Sequence, residues 1–111
     1  MTFIARLSDV ERKRINSGKS YEEFLHMPSL TAGLYVLPAH GLDLQKPHPE
    51  DEVYYVMRGR ARFQSGDDDF DVSAGSVIFV RAEVEHHFHD IAEELAALVL
   101  FTTPRDTYKG L

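Results

Sequence analysis

Cysteine and tryptophan are both missing from the 111 residues. Without cysteine there is no disulfide framework, no thiolate metal site and no cysteine nucleophile. No apolar run approaches the roughly 18 residues that a membrane helix needs, so a membrane is not an expected partner. Basic charge is also scarce. Twelve Lys and Arg face 18 Asp and Glu, a formal charge of -6, and such a balance repels a phosphate backbone. The one basic cluster, Arg12, Lys13 and Arg14, stands beside Asp9 and Glu11 and reads as a solvated helix face. Nucleic acid is therefore not expected either. The stretch MTFIARLSDVERKR lacks the apolar core of a secretion signal, which makes a cytoplasmic location the expectation. Glycine-rich phosphate loops and a serine elbow are absent as well, leaving no case for a Ser-His-Asp hydrolase.

What is present suits one folded domain. Apolar residues make up 43% and charged residues 27% of the chain, and a chain of this size buries about 65% of its unfolded surface. Ser8 to Ser17 reads as a short helix with Ser8 as its cap and Glu11 in the capping-box position, ended by Gly18. Tyr21 to His26 reads as a further turn of helix before Pro28. From Thr31 the pattern turns to strands: GLYVLP, EVYYVM, RARFQ, FDV, SVIFV, HHFHDI and LAALVLF, separated by Gly- or Asp-containing breaks. The SGDDD segment lacks the twelve-residue calcium loop and reads as a solvated hairpin turn. Between Glu52 and Phe101 there is no room for crossover helices, so an antiparallel sandwich or barrel is expected. The expected layout is an N-terminal segment over 1–30 packing on the barrel or a partner subunit, a single barrel over 31–104, and a tail over 105–111.

Histidine is concentrated in two places. His48 precedes the EVYYVM strand, and His86, His87 and His89 share one strand-sized segment. Side chains on a strand alternate faces, so His86 and Phe88 share one face while His87 and His89 take the other. His48 and Glu52 share a face if the chain between them is extended, and Tyr54 continues it. Glu52 stands closest to the apolar run, and a buried carboxylate needs a positive partner or several donors. Two imidazoles and one carboxylate from separate strands suit Fe(II), Mn(II), Ni(II) or Zn(II) and leave open positions on the ion. Arg58, Arg60 and Arg62 share a parity and read as a solvated or interface face. SVIFV and LAALVLF carry apolar residues on both parities, which calls for a cover on each side; a second copy of the chain is the expected one, in a homodimer.

The stretch KPHPEDEVYYVMRG places His48, three residues, Glu52, six residues and Gly59; GSVIFVRAEVEHHFHD runs from Gly75 to His86 and Asp90. These spacings resemble the two motifs of the cupin superfamily over roughly Thr31 to Pro104. The resemblance implies an all-β fold, a double-stranded β-helix or jelly-roll barrel with a short N-terminal helical or extended segment. It also implies one divalent transition metal ion (Fe, Mn, Ni or Zn) held by His48, Glu52 and His86. The pattern is departed from at Lys46, where a further ligating histidine is expected. Arg81 replaces a proline, Glu83 a glycine and Asp90 an asparagine. A protonated lysine has no lone pair to ligate with. Lys46 either points away or sets a cation near an anionic substrate, and Gln45 and Glu50 are alternative oxygen donors. Tyr54 reads as a core residue whose hydroxyl is available as a hydrogen-bond donor or acid in the cavity. The function implied is a metal-binding cupin, as a metal-dependent oxygenase or isomerase of a small polar metabolite with Tyr54 and Lys46 in catalytic positions. The alternative is a non-catalytic module that binds or senses a small-molecule ligand.

Overall fold

The computed structural model describes residues 1–102, in which one helix precedes six strands. Helix α1 (Leu7–Ser17) starts one residue before Ser8, with Arg6 at the cap position and no side-chain cap bond. Ser8 is thus inside the helix and does not cap it. Asp9 in the first turn and Arg14 in the last suit the helix dipole. Gly18 closes the helix in the left-handed conformation, donating its N–H to the carbonyls of Arg14 and Ile15.

The Tyr21–His26 segment is strand β1, not a turn of helix. It pairs antiparallel with β2 (Leu30–Leu37), setting Tyr21 opposite Tyr35 and Glu23 opposite Gly33. Pairing with a neighbouring strand overrides the local helical signal of a short six-residue segment. Gly33 leaves the space that the Tyr21 ring fills; a Cβ there would land within the ring.

Two pairs of expected strands are continuous. EVYYVM and RARFQ form one strand, β3 (Glu52–Ser65), and HHFHDI and LAALVLF form another, β6 (His86–Thr102). Strands β4 (Asp68–Ser73) and β5 (Val77–Val80) both pair with β3, and the sheet runs β1-β2-β6-β3-β4 with every pairing antiparallel. The β3–β6 ladder sets Glu52 opposite Phe101 at one end and Ser65 opposite His86 at the other. A straight strand rises about 3.3 Å per residue, so the two ends of β3 would stand roughly 43 Å apart. The ribbon instead curls. Its register shifts three times, between Val56 and Arg58, Arg58 and Arg60, and Arg60 and Arg62. Gly59 lies in the middle of these shifts with φ 96°, and its Cα faces the Glu94 carbonyl so closely that a Cβ would overlap it. Bulges of this kind bend a strand and increase its twist.

The concave side of the curl holds the main core, in which Tyr54, Val56, Phe63, Phe88, Ile91, Leu95 and Val99 are buried together. The convex side is covered in part by α1, whose Val10 packs with Leu34, Val36 and Ala96. Beyond α1 the cover stops. Tyr55, Val77, Phe79 and Leu100 are exposed on neighbouring strands of that same side. The arginines lie on the solvated face expected of them, although they share the parity of the buried Glu52, Tyr54 and Val56: the register shifts turn them outward. Arg58 meets Glu11 and Glu94, Arg60 meets Glu93, and Arg62 meets Asp69 and Asp71.

Candidate metal centre

Curling brings the two ends of the ribbon to one point. Glu52 begins β3 and His86 begins β6, yet His86 Nε2 and Glu52 Oε1 are 2.5 Å apart with both side chains 1% exposed. His48 arrives from the loop before β3, where its carbonyl accepts the Glu83 N–H at 2.7 Å. Donor atoms of His48, Glu52 and His86 all lie within 4.8 Å of one another.

Local hydrogen bonds orient these groups. The His86 Nδ1–H donates to the Val84 carbonyl at 2.8 Å, which leaves Nε2 with its lone pair turned inward when the ring is neutral. Around that nitrogen stand Glu52 Oε1, the Gln45 side-chain oxygen at 3.1 Å and the Tyr54 hydroxyl at 3.2 Å. Burial opposes charge on His86, but the hydrogen bond with Glu52, the Val84 carbonyl and the charge of Glu52 outweigh it and raise its pKa above the ordinary value. A proton or a metal ion therefore meets the same demand for positive charge at this point. Burial first, and then the Glu52 charge, hold the Tyr54 hydroxyl far above its usual pKa, so it stays protonated and donates to Gln45 Oε1 at 2.9 Å.

The residues fit a divalent ion. Glu52 Oε2 is buried with no hydrogen-bond partner among the described residues, a costly arrangement for a carboxylate unless a cation takes the vacant lone pairs. Neutral imidazole and carboxylate are the donors that Fe, Mn, Ni and Zn accept.

A pocket of about 390 Å³ opens beside the centre. His48, Gln45 and Tyr54 line its inner part, and Tyr21, Tyr35 and Phe101 form aromatic walls. Glu23 and Glu50 also line it. The Tyr21 hydroxyl is buried without a partner. Lys46 does not line this pocket: it is exposed and borders a second depression, which Gln45 and His86 share with it. His87 and His89 face away from the centre, with His89 paired to Asp69 at 3.0 Å.

Sequence reasoning gave Asp43 no role and Gln45 only a reserve one. Asp43 accepts hydrogen bonds from Tyr35, from the Gln45 side chain and from the Phe88 N–H. The signal for both was an inverted pattern: in GLDLQ, Leu42 and Leu44 are 77% and 80% exposed while the polar residues between and after them turn inward. Buried polar groups beside exposed leucines are the informative exception to ordinary patterning.

Known proteins share both sequence and shape with this chain. The pattern of the Cupin domain family matches residues 33–103. An uncharacterized protein of Streptomyces coelicolor is 43% identical over 99 residues, covering 89% of this chain and 94% of its own length. The oxalate-binding protein of Thermotoga maritima is 26% identical over 113 residues, covering 87% of this chain and 93% of its own length. The crystal structure of an RmlC-like cupin family protein with a double-stranded β-helix fold, from Methanocaldococcus jannaschii, superposes with a TM-score of 0.70 at 13% identity, covering 78% of this chain and 82% of that one.

Proposed function

The chain belongs to the Cupin domain family, and from that premise we propose that it binds one divalent transition metal ion through His48, Glu52 and His86 and holds a small oxygen-donor ligand beside it. The observation that carries this reading is the convergence of the three donors within 4.8 Å, one of them a buried carboxylate with an unpartnered oxygen. Bound there, the ion would supply Lewis acidity and open positions for a chelating ligand. The chain's own residues supply the rest. Aromatic walls line the pocket, Tyr54 keeps its proton as a hydrogen-bond donor, and the volume of about 390 Å³ accommodates a small-molecule ligand. Similarity to an oxalate-binding protein supports a small carboxylate as the ligand class. Metal analysis of protein purified without chelator tests the reading. About one ion per chain is expected in the wild type and none in His86→Ala; equal metal in both overturns it.

A turnover version, a metal-dependent oxygenase or isomerase acting on the same ligand, draws support from the buried Tyr54 hydroxyl beside the ligands. Oxygen uptake or an isomerised product from the metal-loaded protein, reduced in Tyr54→Phe, would establish it. Lys46 borders the depression on the other side of Gln45 and His86, and as a cation there it would favour an anionic ligand in either version.

A homodimer belongs to the same proposal. The exposed strip of Tyr55, Val77, Phe79 and Leu100 carries no charged side chain, and contiguous apolar surface of this kind marks a protein contact. A two-fold axis would set the strip against itself. Light scattering is expected to give twice the chain mass for the wild type and the chain mass for Phe79→Glu.

A further inference from the structure

We propose that Gln45 completes the metal centre as a fourth ligand through its side-chain oxygen, with Asp43 as the residue that aims it. The inference rests on the three-residue reading above and adds to it.

The orientation of the Gln45 amide follows from chemistry. Asp43 is a carboxylate and accepts only. Gln45 Nε2 lies 2.6 Å from Asp43 Oδ2, so the amide nitrogen must be the end that faces Asp43. The amide oxygen therefore faces the histidines. Asp43 is itself fixed, accepting the Tyr35 hydroxyl at 2.5 Å and the Phe88 N–H at 2.8 Å. Tyr35 and Phe88 belong to β2 and β6, which ties the Gln45 side chain to the barrel wall although its backbone lies in a loop.

The oxygen then stands where a ligand should. It is 3.1 Å from His86 Nε2 and 3.4 Å from His48 Nε2. Two donors bound at about 2.1 Å and at right angles around one ion are separated by roughly 3.0 Å.

A neutral amide in this place has a consequence for ligand choice. With Glu52 as the one anionic ligand, a divalent centre keeps a net positive charge, which favours an anionic oxygen donor in the remaining positions. A second carboxylate in place of Gln45 would cancel that charge.

Cobalt(II) titration of metal-free protein, followed by calorimetry and by visible absorption, tests the assignment. Gln45→Leu is expected to weaken Co(II) binding by at least the roughly 10–100-fold that loss of an outer hydrogen-bond partner costs and to alter the absorption band, whose intensity rises as coordination number falls. Gln45→Glu, which keeps an oxygen donor, is expected to bind at least as tightly as wild type. Asp43→Asn, which releases the amide, should weaken binding by less than Gln45→Leu does. If Gln45→Leu does not fold by circular dichroism, Gln45→Asn decides, because its shorter side chain cannot reach and the same loss is expected. An unchanged affinity and spectrum in these Gln45 variants, with binding abolished in His86→Ala, overturns the fourth ligand and leaves the three-residue site standing. A wild type that binds no Co(II) overturns both.

Discussion

Two histidine–carboxylate pairs lie on the same ribbon and differ in almost everything except residue type. His86 and Glu52 meet at 2.5 Å in the interior, each 1% exposed. His89, three positions further along β6, meets Asp69 at 3.0 Å with the two side chains 28% and 36% exposed. Around the outer pair, Arg62 bonds Asp69 and both side chains reach solvent. Among the described residues no arginine or lysine pairs with the inner Glu52, and one of its oxygens has no partner. The same two functional groups make an ordinary surface ion pair in one place and a demand for a cation in the other. Burial decides which.

The largest way to break the comparison is to remove one histidine from each pair. His86→Ala should abolish metal binding and leave the Glu52 carboxylate buried alone, a loss of about 3–5 kcal/mol in the metal-free protein. His89→Ala should leave metal content unchanged and shift the denaturation midpoint no more than surface substitutions usually do. Equal effects would show that the inner pair is not special.

Next in size is the bend that separates the two environments. In Gly59→Ala the new Cβ overlaps the Glu94 carbonyl in a backbone conformation unsuited to alanine. A loss of about 3 kcal/mol is expected from strain of this kind, together with weakened metal binding, because β3 can no longer bring Glu52 to His86. Denaturant unfolding and metal titration on one sample would read both.

A smaller change should sharpen the inner site. Glu83 adopts φ 69° and donates its N–H to the His48 carbonyl. Glu83→Gly relieves that conformation and should stabilise the fold by about 1 kcal/mol, read as a higher melting temperature with metal content retained.

The smallest effect belongs to the outer pair. The slight desolvation of Asp69 opposes its charge, but the His89 hydrogen bond and the Arg62 charge outweigh it and lower the Asp69 pKa from 3.8. Its stabilising contribution is thus present above pH 3.8 and is lost as pH falls through the lowered value. Asp69→Asn should lower the stability curve slightly above pH 3.8 and leave it unchanged below the lowered value, which flattens the acid limb, with the metal site untouched.

Much of this was legible in the residues. Turn spacing and the lack of room for crossover helices point to antiparallel β structure, and Gly or Asp marks the breaks. The parities in HHFH set His86 and Phe88 on one face and His87 and His89 on the other without coordinates, and the motif spacing from Gly75 picks His86 as the inward one. What the residues concealed is long-range. Strand continuity through Gly59 depends on a partner strand that bends with it, so a glycine that looks like a terminator is a hinge. The β1 strand looks helical until β2 is beside it. Asp43 and Gln45 sit in a segment without regular structure, where no periodicity says which way a side chain turns.

The curled ribbon also has a mechanical consequence. Its two tips meet at a single point, so an ion seated there acts as a buckle on a strap. Fastening it would hold both tips at once, and neither could peel away without undoing the other. Amide protons near Glu52 and near His86, although far apart along the ladder, should therefore slow their exchange together when metal is added, by a common factor that the middle of the strap does not share.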